Sequence, residues 1–238
     1  MANLSPSQRL HHDLEQIITT AEPGKQLPSE PRLAAQLGVS RATLREAMRD
    51  FETQGLLIRR QGVGTFVVHP THVFESGLEV LESIDTLAKR IGLSVAIGNL
   101  EVYSCPASED QTRRLKLDPG AYITCVTRVI LSQDRPVAYL LDAVPSKYLS
   151  PDEITDGFSG SVLDVILERG EPTVASSRCE ISAVAADTDV ARALRIQRGD
   201  AVLRFESLMY SRDNDPIDYS FSFFLPGYFR FHVARKIA

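Results

Sequence analysis

No apolar run in this 238-residue chain reaches the roughly 18 residues needed to cross a bilayer as a helix, so no membrane-spanning segment is expected. The opening stretch, Met1 to Gln16, is polar and amphipathic, which reads as no signal peptide. Cysteine is scarce: Cys105, Cys125 and Cys179 are unclustered and lack metal-ligand spacing, so they read as buried thiols in a reducing cytosol. His69 and His72 have no acidic or cysteine partners nearby in sequence, and His232 stands alone near the terminus. The first two read as solvent-exposed and the last as structural, so no metal is expected. No nucleophile–base–acid arrangement and no phosphate-cradling glycine loop is present. Neither enzymatic activity nor a cofactor is expected.

Excess charge of one sign is small overall but unevenly spread. The net charge is −5, yet residues 1–68 hold eight Lys/Arg against seven Asp/Glu. The remainder holds eighteen against twenty-four, and from Arg32 to Arg60 six arginines face three acids. Basic charge is concentrated in one short stretch, so the acidic total does not exclude a polyanionic partner.

That stretch has a definite pattern. Ser5-Pro6 opens a first helix to about Thr20, with Leu10, Leu14, Ile17 and Ile18 inward, and Glu22-Pro23-Gly24 breaks it. Ser29 is placed to cap a second helix, with Pro31 in its first turn and Gly38 ending it after Leu33, Ala34 and Leu37. Ser40 is placed to cap a third, which Gly55 stops. Leu44, Ala47, Met48 and Phe51 form its apolar stripe, and Arg41, Arg45 and Arg49 recur every fourth residue on another face. Residues 56–60 and 65–68 then read as two strands joined by Gln61-Gly62-Val63-Gly64. A helix pair with an arginine row on the second member and a basic hairpin beside it predicts a winged helix-turn-helix. Its second helix suits a DNA major groove.

This segment resembles the DNA-binding domain of the GntR family of bacterial transcription regulators. The resemblance rests on Leu27-Pro28-Ser29-Glu30, Leu33-Ala34, Leu37-Gly38-Val39-Ser40-Arg41, Thr43-Leu44-Arg45, Gly55-Leu56 and Gly64-Thr65-Phe66-Val67. It implies DNA contacts from Arg32, Ser40, Arg41, Thr43, Arg45, Gly62, Gly64 and Thr65. Where relatives often carry arginine directly after Ser-Glu, this chain has Pro31, with Arg32 following. The glycines at the hairpin tip permit positive φ and close backbone approach to DNA.

Beyond a short proline-bearing linker, 69–74, strands, helices and hairpins alternate. Helices are expected over Asp85 to Ile91, from Ser108 through SEDQTRRLKL, over Ser161 to Arg169 and over Asp187 to Leu194. Strands are expected over Val95 to Tyr103, Tyr122 to Ser132, Val137 to Val144, Ala175 to Ala185, Ala201 to Ser211 and Ile217 to Leu225. The fold class is therefore α+β, with 75–238 built around one antiparallel sheet. This region is similar to the UTRA effector-binding domain, chorismate-lyase-like in fold, that marks the HutC subfamily. The similarity is carried by Leu117, Pro119-Gly120, the Thr127-Arg128-Val129 and Pro136-Val137-Ala138 hairpin, Leu194 to Gly199, and Pro216-Ile217-Asp218-Tyr219-Ser220.

Arg128 lies mid-strand among Val126, Val129 and Ile130. A guanidinium there needs an anionic partner, either a ligand carboxylate or phosphate, or an internal Glu206, Asp142 or Glu180. Glu206, Tyr219 and Ser220 on the last two long strands are expected to face the same cavity, with Asp142 nearby. Ser176, Ser177 and Arg178 offer polar groups on another strand. Relatives often have a second arginine where Ile130 stands and a glutamate where Leu140 stands, so a small carboxylate or planar heterocycle is expected rather than a phosphorylated sugar. The aromatic string Tyr219, Phe221, Phe223, Phe224, Tyr228, Phe229 and Phe231 reads as core and dimer seam in preference to a pocket wall.

These residues together predict a cytoplasmic, homodimeric repressor that binds a palindromic double-stranded operator and answers to a small-molecule effector. Two other readings compete. One is an enzyme related to chorismate lyase with a DNA-binding appendage; the other is a ligand-free architectural DNA binder with a solid C-terminal core.

Overall fold

The structure is a computed structural model that describes residues 5–22, 24–53, 56–60, 63–67, 74–90, 94–154 and 158–233. The chain divides into two compact units, Met1–Val73 with Leu225–Tyr228, and Phe74–Phe224 with Phe229–Ala238. Residues 69–73 of the expected linker, with Gly55 and Gly62, lie outside the described residues, whereas Phe74 opens a strand.

In the first unit, helix α1 (Pro6–Thr20) starts on a reciprocal cap in which Ser5 Oγ accepts from the Gln8 amide at 3.3 Å and Gln8 Oε1 accepts from the Ser5 amide at 2.9 Å. Helix α2 (Glu30–Leu37) ends at Gly38, whose φ of 67° lets its N–H turn back to Ala34 and Ala35. Helix α3 (Arg41–Thr53) follows after the three residues Gly38, Val39 and Ser40. Leu10, Leu14 and Ile18 of α1 close against Leu33, Leu44, Met48, Phe51, Leu57 and Val67 in one core. Each such side chain contributes about 1.5–3 kcal/mol of burial. Strands β1 (Leu57–Arg60) and β2 (Gly64–Val67) pair antiparallel. The segment beyond Pro23, expected only to break the first helix, hydrogen-bonds along β2: Leu27 N–H donates to Thr65, and Val67 N–H to Lys25, both at 2.8 Å.

The second unit is a six-stranded antiparallel sheet. Its strands are β4 (Ala96–Pro106), β5 (Tyr122–Ser132), β6 (Arg135–Pro145), β7 (Val174–Ala185), β8 (Ala201–Ser211) and β9 (Pro216–Phe224), in the order β4-β5-β6-β9-β8-β7. Gln133 and Asp134 make the β5–β6 turn, both at positive φ, which is the two-residue hairpin geometry that matches strand twist. The turn is shorter than the four-residue connection expected, and Pro136 sits inside β6 at a register shift. Among the described residues four α-helices, α4 (Ile84–Arg90), α5 (Glu109–Arg114), α6 (Val162–Arg169) and α7 (Thr188–Leu194), accompany the sheet, with a short 3-10 turn at Pro151–Glu153. Helix α5 is shorter than expected, because Lys116 turns left-handed at φ 51°. A parallel pair of four-residue strands, β3 (Phe74–Gly77) and β10 (Phe229–His232), was not foreseen. Such short strands carry no periodic pattern, and their pairing joins the two ends of the unit.

Candidate functional site

The reading head is organised by an acid that sequence reasoning passed over. Glu30, at the start of α2, accepts from Arg45 Nε at 2.6 Å, lies 3.9 Å from Arg41 Nη2, and pairs through its other oxygen with Arg59 of β1. Its side chain is 15% exposed, while those of Arg41 and Arg45 are 60% and 54% exposed. One carboxylate therefore holds the bases of two α3 arginines and one wing arginine while their outer faces stay in solvent. Ser40 Oγ accepts from the Thr43 amide at 3.1 Å and lies 2.8 Å from the Thr43 hydroxyl, so these two polar groups cap the helix. Arg32 is exposed.

The wing corrects one expectation and bears on a second. Thr65 is buried at 7% exposure, because alternation along β2 turns it and Val67 inward, so its side chain offers no phosphate contact. Gly64 has φ 142°, and a Cβ there would fall 2.3 Å from Gln26 Nε2, which donates to the Val63 carbonyl at 2.8 Å. Gly64 therefore has the positive φ expected of it, and the chain's own Gln26 side chain already lies where a side chain would start.

In the second unit, one face of the sheet floors a cavity of about 740 Å³. Register explains what meets there. On one face Asp142, Ser220, Ser207 and Cys179 form a row across β6, β9, β8 and β7. Beside it runs a second row, from Arg128 of β5 through Leu140, Ser222 and Phe205 to Ile181. Of the residues expected at an effector site, Arg128, Asp142, Ser176 and Ser220 line this cavity. Arg178, Glu206 and Tyr219 do not. Side chains alternate along a strand, so Tyr219 and Ser220 must face opposite ways, as must Glu206 and Ser207.

Glu206 and Tyr219 instead form a network on the reverse face. The Tyr219 hydroxyl donates to Glu206 Oε1 at 2.8 Å, and Arg114 Nη2 lies 3.1 Å from the same oxygen and stacks its guanidinium over the ring. Burial, then the bond to Glu206, raises the Tyr219 pKa. Arg178 is 76% exposed and pairs with Glu180 on its own strand. Cys105 and Cys125, on adjacent strands, bring their sulfurs to 3.3 Å on this reverse side. Burial, followed by Cys105, pushes the Cys125 thiol up to about 12.

Arg128 is 5% exposed and internally satisfied. Its Nη1 pairs with Asp142, and its Nε donates to the Gly160 carbonyl at 2.7 Å. Of the partners left open for this guanidinium, Asp142 is the internal carboxylate that meets it. A second carboxyl, Asp218, lines the same cavity at 5% exposure, and sequence reasoning missed it. Burial above all, with Asp142 adding to it, holds its pKa well above the usual carboxylate range against the opposing pull of Ser220 and Arg128. Its shared parity with Ser220 was the available signal. The aromatic string divides: Phe224, Phe229 and Phe231 join Phe205 in the cavity wall, with ring centroids 4.5–5.8 Å apart, while Tyr219 and Phe221 pack against the reverse face.

Among the described residues no helix is long and apolar enough to cross a membrane. Residues 6–67 match the model of bacterial regulatory proteins of the gntR family, and residues 91–230 match the UTRA domain. The chain is 28% identical over 221 residues to the HTH-type transcriptional repressor NagR of Bacillus subtilis (strain 168), an alignment spanning 91% of this chain and 90% of that protein. It is 27% identical over 184 residues to the histidine utilization repressor of Pseudomonas putida, spanning 76% and 71% respectively. The crystal structure of PhnF from Mycobacterium smegmatis shares the fold, with a TM-score of 0.65 at 22% identity over 96% of this chain and all of that one.

Proposed function

The chain belongs to the GntR family of bacterial regulatory proteins, with a UTRA domain behind a DNA-binding head, and from that premise we propose a metabolite-responsive repressor of a catabolic or transport operon. It works in the cytoplasm as a homodimer on a palindromic operator. The observation that carries this reading is the cavity of about 740 Å³ in the unit that does not read DNA. A volume of that size suits a small metabolite, and it weighs against a ligand-free architectural role. The relatives named as repressors support the direction of control.

The mechanism is linkage. A ligand that binds one arrangement of two paired heads better than another shifts the population by its difference in affinity for the two. Arg41 and Arg45, at the exposed N-terminal turn of α3, supply the contacts to base edges or flanking phosphates, and Glu30 sets their starting geometry. The test is anisotropy on duplexes from the region upstream of the chain's own gene, with and without compounds found by thermal shift. A compound that binds the protein is expected to change operator affinity at least fivefold, the lower end of ordinary coupling. Bound compounds that leave operator affinity unchanged would overturn the reading.

A further inference from the structure

The cavity is acidic at its centre. Among the described residues its lining sets the carboxyls of Asp142 and Asp218 against one cation, Arg128, while the lining residue Asp85 is paired with Lys89. That cation is already committed to Asp142 and to the carbonyls of Gly160 and Val126. Asp218 is 5% exposed, and its Oδ1 has no hydrogen-bond partner. A buried carboxyl oxygen left in that state is costly unless something bound supplies a donor. An anion entering here would meet two carboxyls beside an occupied guanidinium.

On the effector reading proposed above, we infer that the ligand carries a cationic nitrogen, a protonated amine or amidine, whose N–H reaches Asp218 Oδ1. Asp142, Ser220 and Ser207 lie alongside to take its remaining donors, and the phenylalanine wall covers its apolar part. Pairing gives the unpartnered Oδ1 a charge-assisted hydrogen bond, and the ring faces add cation–π attraction.

Calorimetry and thermal shift on the full-length chain test this with charge-matched probes. Phenethylamine and glucosamine are set against 3-phenylpropionate and glucose 6-phosphate, with 2-phenylethanol and glucose as neutral controls. The cationic member of at least one series is expected to bind ten times or more tightly than its anionic counterpart. Asp218→Asn is expected to remove that preference. The wild-type comparison decides the matter even if the variant misfolds. Anionic probes binding as well as or better than cationic ones would overturn the cationic assignment while leaving an effector site standing. If no probe of any charge, and no compound from a wider metabolite set, binds the full chain, the effector reading falls and this inference with it.

Discussion

Asp218, Asp142 and Arg128 place two carboxyls and one guanidinium in a space that water barely reaches. Removing the cation leaves two buried acids facing each other. Arg128→Ala is therefore expected to destabilise the chain by about 3–5 kcal/mol, the cost of breaking a buried pair, and denaturant unfolding measures it. Loss of response in that variant is a stability effect before it is a ligand effect. Asp218 acts in the opposite sense. Its native pKa is raised, chiefly by burial and then by Asp142. Above about pH 3.9, the ordinary value, the unfolded chain has lost a proton that the native chain keeps. Stability consequently falls as pH rises from there through the native pKa. Asp218→Asn should be more stable than wild type by roughly 1–3 kcal/mol at pH 7–8, with the gap closing as pH is lowered towards 4. Melting curves across that range check it. A gap that widens in acid would mean the carboxyl is stabilised in its charged form.

At the scale of elements, the head depends on contacts between segments more than on any one helix. Glu30 belongs to α2 yet holds arginines of α3 and β1, so its charge tempers the basic face that meets phosphate. Glu30→Gln adds one unit of positive charge and frees three guanidiniums. Affinity for random duplex should rise, with a salt dependence steeper by about one in log–log slope, while preference for the operator falls. Salt titrations on operator and scrambled duplexes measure both. The wing shows the same dependence. Gly64 is needed for its positive φ and for the room taken by Gln26, so Gly64→Val should distort the hairpin and weaken binding to all sequences alike. Selective loss at one operator base pair, with non-specific binding intact, would show that the tip reads sequence.

For the whole molecule, the two units each close their own apolar cores. A single winged helix covers too little DNA for high specificity, which is why pairing through the second unit is proposed. The fragment 74–238 should sediment as a dimer at micromolar concentration, and a monomer there would move the pairing surface to the head. Much of this architecture was legible beforehand, because helices in the head announce themselves locally. Ser5, Ser40 and Gly38 act within a few residues of their own positions, whereas Ser29 stands at the start of α2 without a side-chain cap bond, and apolar spacing at 3.6 residues needs no partner to be read. Strand positions in the sheet were legible for the same reason, from alternation and turn residues. The sequence by itself determined the succession of the longer elements, the α+β class, the arginine row and four of the cavity's polar groups, Arg128, Asp142, Ser176 and Ser220. Tertiary structure decided which groups meet. The period of two says that Ser220 and Tyr219 part company, but only register says that Ser220 joins Asp142, and that Glu206 stands with Tyr219 and Arg114 on the other side. It likewise paired Arg128 with Asp142 out of three candidate carboxylates, and brought β3 to β10 across most of the chain. Those outcomes are long-range pairings, whose energy depends on geometry that no local window of sequence contains.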